Sequence, residues 1–149
     1  MNDLKRILLA EDDPRDVELT LTALEENNLV NEVVVARDGA EALDYLRCQG
    51  DYRMRQKGNP AVVLLDLKMP KVDGIQVLEE IRADPELRQT PVVILTSSRE
   101  ERDLVEAYHL GVNAYVVKPV DFQEFLAAVR EIGLFWALLN EPPPGTIKK

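Results

Sequence analysis

The sequence predicts an α/β fold in which a five-stranded parallel sheet is doubly wound, (βα)5, with helices on both faces. Three observations support this prediction. Short apolar runs recur five times along the 149 residues. Each run is followed by a segment with helical spacing of apolar residues, in strict alternation. The third run, VVLL at residues 62–65, has no alternating polar positions, as expected of a strand that is buried on both faces.

The predicted strands are short and each is followed by polar or turn-forming residues. The second is rich in valine, which favours extended structure. The third ends on a carboxylate, Asp66, which is unusual for a strand that is otherwise buried. The predicted strands are residues 4–10, 32–36, 62–66, 92–95 and 114–117.

Each predicted helix has a recognisable start. Asp13 is a suitable N-cap for the first helix, and Pro14 fits its first position. Capping sequences or a turn start the other four helices. These starts lie at residues 38–41, 73–74, 98–101 and 121–124. The corresponding helices are expected to end near residues 46, 84, 111 and 139.

The composition excludes several classes of function. Eighteen basic and 27 acidic residues give a formal net charge of −9, which argues against a nucleic-acid-binding surface. The single cysteine, Cys48, excludes an internal disulfide framework and a zinc site of several cysteines. With one histidine, His109, we expect neither a multi-histidine metal site nor a Ser-His-Asp triad.

Hydropathy and length indicate one soluble domain. The N-terminus lacks the features of a signal peptide, and no segment reaches the roughly 18 apolar residues of a transmembrane helix. We therefore expect a cytoplasmic protein without membrane contact. Residues 1–140 are expected to form the domain, with an extended last helix over about 121–139. Residues 141–149, EPPPGTIKK, are expected to be a proline-rich flexible tail that is too short for an output domain.

Polar side chains follow four of the predicted strands at the point where each strand ends. Because ligands of open parallel sheets bind beyond the carboxyl ends of the strands, these side chains are candidates for one site. Each also has a purely structural explanation, such as helix capping by Asp13. The candidates are Glu11, Asp12, Asp13, Asp66, Thr96 and Lys118.

Carboxylates gathered at one sheet edge repel one another unless a cation lies among them. Oxygen ligands favour a hard ion, and Mg²⁺ suits a site with few carboxylates, retained water and a phosphate oxygen. A carboxylate beside Mg²⁺ can attack a phosphoryl group to give an aspartyl phosphate. Asp66 fits the acceptor, Lys118 the counter-charge and Thr96 an oxygen partner, and no histidine is needed.

Four motifs, LLAEDDP, LLDLKMPKVDG, VILTSS and YVVKP, closely resemble the receiver domain of bacterial two-component response regulators. The resemblance covers about residues 4–135 and implies a flavodoxin-like receiver fold in a signalling protein that is not an enzyme. It implies that Asp66 accepts a phosphoryl group from a partner kinase's phosphohistidine. It also implies that Asp12 binds Mg²⁺ directly, that Glu11 acts through water, and that the main-chain carbonyl of Lys68 is a further ligand.

The resemblance extends to the residues of the conformational switch. Thr96 and Lys118 match the switch hydroxyl and the lysine, and Lys118-Pro119 matches a cis-proline turn. Tyr115 falls at the position of the switch aromatic, although packing in a strand would also explain it. Phosphorylation would then alter the face built from helix four, strand five and helix five. Lys68 and Ser98 flank the site at positions that tune dephosphorylation in such domains.

Two features exceed a minimal receiver domain. Residues 49–60 form a long loop that is either a solvated excursion or a partner contact. Residues 132–139, IGLFWALL, contain no polar side chain, so they are expected to be covered by a folded-back tail or by a second copy. We favour a homodimer through helix four, strand five, helix five and the C-terminal extension. The extension residues in this interface would be Phe135, Trp136 and Leu139.

These two features resemble single-domain response regulators that partner phytochrome-type histidine kinases, which implies light as the input. Three alternatives remain. A phosphatase similar to the haloacid dehalogenases needs a second acid two residues after the nucleophile, where this chain has Lys68. A flavin binder needs a phosphate-cradling loop, whereas EDDPRD would repel a phosphate. The third alternative is an inert receiver-like binding module.

Overall fold

The computed structural model describes residues 6–26, 28–29 and 32–147. Its five strands form one parallel sheet in the order β2-β1-β3-β4-β5, which confirms the predicted fold class. The first two residues of the predicted first strand lie outside the described ranges. The strand order changes direction between β1 and β3, where open α/β sheets form their binding crevice. The strands are β1 (Ile7–Ala10), β2 (Val33–Ala36), β3 (Val62–Leu65), β4 (Val92–Thr96) and β5 (Ala114–Val117).

Five helices follow the strands, as predicted. Asp13 accepts a hydrogen bond from the backbone N–H of Arg15 and caps the first helix, with Pro14 at its first position. The last helix continues as a π-helix over Leu134–Leu139. The α-helices are α1 (Pro14–Glu25), α2 (Gly39–Arg47), α3 (Gly74–Ala83), α4 (Glu101–His109) and α5 (Phe122–Gly133).

Two of the predicted helix starts differ in detail. Asp38 caps α2 as expected, but the Glu41 carboxylate accepts from the backbone N–H of Arg37, so the reciprocal bond lies one residue earlier. Helix α4 begins two residues later than the expected cap at Ser98, and its N-cap Glu100 makes no side-chain cap bond. The Ser98 hydroxyl instead donates to a carboxylate, which is a stronger acceptor than a neutral group.

The core consists of two apolar layers, one on each face of the sheet. Along β3, Val62 and Leu64 pack with residues of α1 and α5, whereas Val63 and Leu65 pack with residues of α2 and α3. All four side chains are fully buried, which confirms the interpretation of the VVLL run. Because both faces are covered, β3 is fixed at the centre of the sheet, and its carboxyl end is a rigid position.

The loop at residues 49–60 is anchored through Arg55. Its guanidinium donates to the carbonyl oxygen of Tyr45 at 2.7 Å and of Gly58 at 3.1 Å, and it lies 4.1 Å from the centroid of the Tyr45 ring. Part of the loop therefore closes the C-terminal end of α2 and is not a solvated excursion. Met54 is exposed within the same loop.

The C-terminal tail makes contacts with the body of the domain over its described residues, and its flexibility stays a prediction. The backbone of Asn59 donates to the Gly145 carbonyl at 2.9 Å and accepts from the Ile147 N–H at 2.8 Å. Ile147 is buried against Gly58, where a Cβ atom would lie only 2.7 Å from its Cγ1 atom. The tail therefore packs beside the loop that precedes β3. Within the described ranges, no helix is both long and apolar enough to cross a membrane.

Candidate functional site

The carboxyl ends of the strands hold the site residues through backbone hydrogen bonds that continue past the sheet. The N–H of Glu11 donates to the carbonyl of Ala36, and the N–H of Asp66 donates to the carbonyl of Ala10, each at 3.0 Å. The N–H of Lys118 donates to the Thr96 carbonyl at 2.7 Å. The backbones of Glu11, Asp66 and Lys118 are therefore positioned by the sheet itself, which places their side chains at one edge.

Asp66 lies at the centre of the site and is buried. Its Oδ1 atom accepts from the Thr96 hydroxyl at 2.8 Å and from the Lys68 backbone N–H at 3.2 Å. Its Oδ2 atom accepts from the Lys118 ammonium at 3.1 Å. Gly74, at the start of α3, approaches so closely that a Cβ atom there would lie 2.3 Å from the Asp66 carbonyl oxygen. The acceptor predicted from sequence is thus bonded to both of its predicted partners.

Lys118 is buried and bonded to three acidic side chains. Its ammonium donates to Glu11 Oε1 at 2.5 Å, Asp16 Oδ2 at 2.7 Å and Asp66 Oδ2 at 3.1 Å. Sequence reasoning missed Asp16. An acidic residue in the first turn of a helix is ordinarily explained by the helix dipole, and this explanation hides a second role. The available signal was its position on the helix that starts directly after the Glu11–Asp13 run.

Three carboxylates form a group that can hold a metal ion. Glu11, Asp12 and Asp66 each offer an oxygen atom, and these atoms lie within 4.8 Å of one another. Glu11 and Asp66 are buried, whereas Asp12 is exposed, which leaves an approach from solvent. Such an all-oxygen donor set fits a hard divalent cation that keeps some of its water. The Lys68 carbonyl as a further ligand stays a prediction.

Asp13 does not join this group and serves as the α1 cap. Its backbone N–H donates to the second oxygen of Glu11, Oε2, at 3.2 Å. Its side chain is occupied with the N–H of Arg15. The structure therefore supports the capping explanation for Asp13.

The pKa values of the site residues diverge because of their burial and their partners. Burial raises the pKa of Glu11 to about 8, and the charge of Asp66 adds to this effect against the opposing influence of Lys118. Burial also acts to raise the pKa of Asp66, but the Lys118 charge and the Thr96 hydrogen bond outweigh it and lower that pKa. Burial acts to lower the pKa of Lys118, yet its bonds to Asp16 and Glu11 raise it. At neutral pH, Asp66 is therefore a carboxylate, Lys118 is charged and Glu11 retains a proton.

A second polar network joins the two loops beside the site. The Ser98 hydroxyl donates to Asp103 Oδ2 at 2.5 Å, and the Lys68 ammonium lies 3.4 Å from the same oxygen. The Tyr115 hydroxyl donates to the Ser98 carbonyl at 3.0 Å. Tyr115 is half-buried, so it both packs on the core and bonds to the loop that follows Thr96. Asp103 was not predicted, because its partners lie on two other segments.

The expectation of a cis peptide bond before Pro119 was wrong. No peptide bond among the described residues is cis. The trans form of such a bond is favoured by about 0.5–1 kcal/mol in the absence of other influences.

The three C-terminal residues predicted at a dimer interface lie outside the acidic site. Phe135 and Leu139 are 47% and 68% exposed, and the described part of the tail packs elsewhere. Trp136 is half-buried and packs on the layer formed with α1 and α5. The rings of Phe135 and Trp136 contact each other edge to face, with centroids 5.0 Å apart. The extension therefore presents uncovered apolar side chains.

A comparison with protein families identifies the family to which this site belongs. The model of the response regulator receiver domain matches residues 7–130. The chain belongs to this family. The resemblance seen in the motifs is confirmed, and with it the interpretation of the chain as a receiver domain of two-component signalling.

Individual relatives point to a narrower group. Response regulator Rcp1 of Synechocystis sp. (strain ATCC 27184 / PCC 6803 / Kazusa) is 38% identical over 135 residues, which cover 91% of this chain and 90% of Rcp1. The crystal structure of its Mn²⁺-bound form superposes with a TM-score of 0.86 at 37% identity, covering 93% of this chain and 99% of that one.

Two further solved structures are similar. The bacteriophytochrome response regulator AtBRR is 65% identical, with a TM-score of 0.73 and coverage of 93% of this chain and 99% of AtBRR. The phosphorylated cyanobacterial phytochrome response regulator RcpA is 40% identical, with a TM-score of 0.84 and coverage of 92% and 99%. The receiver domain is thus related to phytochrome response regulators.

Proposed function

We propose that this receiver domain accepts a phosphoryl group on Asp66 from the phosphohistidine of a partner histidine kinase, in a Mg²⁺-dependent reaction. One observation carries the proposal. The ionised Asp66 carboxylate bonds to the Thr96 hydroxyl and the Lys118 ammonium, and it lies within 4.8 Å of the oxygens of Glu11 and Asp12. Acceptor, charge neutraliser and cation ligands thus meet at one point. The product relays the signal by changing protein contacts, so the chain acts as a signalling protein and not as an enzyme.

The reaction balances with the residues present. An Asp66 carboxylate oxygen attacks phosphorus, a P–O bond forms, and the P–N bond to the kinase histidine breaks, with its electrons returning to the imidazole nitrogen. The ammonium of Lys118 neutralises charge on the phosphoryl oxygens, and the Thr96 hydroxyl donates to one of them. Glu11, Asp12, Asp66 and the Lys68 carbonyl would hold a divalent cation, which supplies further charge neutralisation when bound. The Mn²⁺-bound form of Rcp1 supports this assignment.

The switch follows from the bonds around Thr96. In this structure the Thr96 hydroxyl donates to Asp66. After phosphorylation, a phosphoryl oxygen would compete with Asp66 for this hydroxyl. The Ser98 N–H lies 3.4 Å from the Thr96 Oγ1 atom, and the Ser98 carbonyl holds the Tyr115 hydroxyl. Movement of Thr96 therefore acts on Tyr115 and on the face of α4, β5 and α5. This pathway supports Tyr115 as the switch aromatic.

The partners are proposed from the relatives and from the exposed apolar surface. AtBRR and RcpA are described as regulators of phytochrome systems, so a phytochrome-type histidine kinase in the cytoplasm is the proposed phosphoryl donor. A homodimer through α4, β5, α5 and the C-terminal extension would cover Phe135 and Leu139, with Trp136 at its edge. Exposed aromatic side chains next to aliphatic ones are typical of such interfaces.

Acetyl phosphate with Mg²⁺ tests the proposed acceptor. Intact-mass spectrometry is expected to show a gain of one phosphoryl group in the wild type and none in Asp66→Asn. Asp51→Asn is the matched control, because it removes an exposed carboxylate from the 49–60 loop. A gain that persists in Asp66→Asn, or that forms equally in the presence of a chelator, would refute the proposal.

Phosphoryl transfer from a bacteriophytochrome kinase, compared with transfer from another histidine kinase, tests the proposed donor. A bacteriophytochrome kinase, autophosphorylated with labelled ATP in red or far-red light, is mixed with the regulator. We expect faster label transfer than from a histidine kinase without a phytochrome module. Equal transfer from both kinases would remove the phytochrome assignment and leave the acceptor chemistry intact.

A further inference from the structure

We propose that Asp16 is a positioning residue that competes with the incoming phosphoryl group for the ammonium of Lys118. This inference rests on the proposed function of Asp66 as phosphoryl acceptor. Asp16 lies in the first turn of α1 and holds the Lys118 ammonium at 2.7 Å. It is not among the three carboxylates grouped as candidate cation ligands.

The hydrogen bonds of the Lys118 ammonium are saturated in this structure. A protonated lysine has three N–H donors, and here they serve Glu11, Asp16 and Asp66. A phosphoryl group arriving on Asp66 also needs a donor from this ammonium. One of the three existing bonds must therefore be given up when the phosphoryl group binds.

Asp16 is the partner placed to give up its bond. Its side chain is 24% exposed, against 3% for Glu11 and 9% for Asp66, so water can replace Lys118 at the Asp16 carboxylate at low cost. Glu11 is buried, so water cannot take the place of Lys118 there, and Asp66 stays beside the ammonium because it carries the phosphoryl group. The bond to Asp16 thus stabilises the resting position of Lys118 and is exchanged for a bond to phosphate.

The position of Asp16 is fixed by its helix. Asp13 caps α1 and Pro14 occupies the first position, which sets the direction of the first turn. The Thr20 hydroxyl donates to the Asp16 carbonyl at 2.7 Å and further restrains this turn. These bonds restrain the turn of α1 that carries Asp16.

The test compares phosphorylation kinetics of the wild type, Asp16→Asn and Asp16→Glu with acetyl phosphate and Mg²⁺. Asp16→Asn removes the charge that competes for Lys118. We expect its KM for acetyl phosphate to fall about fivefold with little change in kcat, the size expected for loss of a partly exposed ion pair. Its aspartyl phosphate is expected to hydrolyse about threefold more slowly, by the same estimate. Asp16→Glu retains the carboxylate and is expected to restore values close to those of the wild type.

Glu18→Gln is the control for net charge, because it removes an exposed carboxylate from the same helix. Asp16→Ser repeats the main test with a side chain too short to reach Lys118, and urea unfolding verifies that each variant folds. Unchanged or higher KM in Asp16→Asn and Asp16→Ser, or the same fall in Glu18→Gln, would overturn the inference. Failure of the wild type to gain a phosphoryl group would instead refute the proposed function and this inference with it.

Discussion

The carboxyl edge of the sheet and the end of the last helix depart from ordinary burial in opposite directions. At the sheet edge, Glu11, Asp66 and Lys118 are charged or titratable side chains that lie buried. In the helix extension, Phe135 and Leu139 are large apolar side chains that lie exposed. The first group is satisfied within the chain by mutual bonds, whereas the second has no covering residues in the described part of the chain.

This contrast separates two kinds of functional surface. A buried charge is tolerated because a partner of opposite charge lies beside it, so the polar groups of the site are satisfied within the chain. An exposed apolar surface is instead a candidate for contact with another molecule. The two regions therefore predict different responses to mutation, one in stability and metal binding and the other in association.

The largest expected effect is on stability when Lys118 is replaced. Lys118→Met leaves Glu11, Asp16 and Asp66 without their common hydrogen-bond donor, and we expect a loss of about 3 kcal/mol in the free energy of unfolding, as for other broken buried pairs. Urea unfolding without Mg²⁺ measures this loss. Lys57→Met, at an exposed loop position, is expected to stay within about 0.5 kcal/mol of the wild type. Equal losses in both variants would show that the bonds of Lys118 to its three acidic partners do not stabilise the fold.

Mg²⁺ binding is expected to weaken as the pH falls below about 8. Because burial raises the pKa of Glu11 to about 8, the bound proton competes with the cation below that pH. The apparent Kd for Mg²⁺ should rise about tenfold for each pH unit below 8, since one proton is released on binding. Isothermal titration calorimetry in buffers of different ionisation enthalpy measures both the apparent Kd for Mg²⁺ and the number of protons released.

Glu11→Gln supplies the control for this prediction. It removes the titrating group, so the Kd of this variant should vary little between pH 6 and 8. Without Mg²⁺, the wild type should lose stability as pH rises towards 8, because the unfolded chain has already released the proton that folded Glu11 retains. A pH profile that is the same for both proteins would contradict the role given to Glu11.

The smallest expected effect is on association. Phe135→Ala and Leu139→Ala each remove exposed apolar surface and should weaken the proposed homodimer about tenfold, the typical cost of a contributing interface residue. Sedimentation velocity across tens of micromolar protein measures the association constant. Met54→Ala, which removes an exposed apolar side chain from the 49–60 loop, should leave association unchanged. A wild type that stays monomeric when phosphorylated would contradict the dimer.

Most of the fold could be predicted because its signals are local. Residues 62–65 indicate a strand buried on both faces, as the structure has it. Asp13-Pro14 and Asp73 indicate helix starts, and helices begin there in the structure. The packing of the tail could not be predicted, because Ile147 bonds to Asn59, which lies far away in sequence. Composition alone suggested flexibility, and composition does not report a tertiary contact.

The candidate site was predicted as far as strand ends could indicate it. Glu11, Asp12, Asp66, Thr96 and Lys118 all follow from where the strands stop, and the structure brings them together. Asp16 and Asp103 were missed, since each lies on a helix and meets its partner on another element. The bond from Lys118 to Asp16 spans 102 positions, and no periodicity in the sequence encodes such a pair.

Mapping the phosphorylated residue shows directly whether Asp66 is the phosphoryl acceptor. The protein is labelled with acetyl phosphate and Mg²⁺, the acyl phosphate is trapped by borohydride reduction, and the modified peptide is sequenced by mass spectrometry. We expect modification at Asp66 alone. Modification at Asp12 or Asp16, or none at any carboxylate, would contradict it.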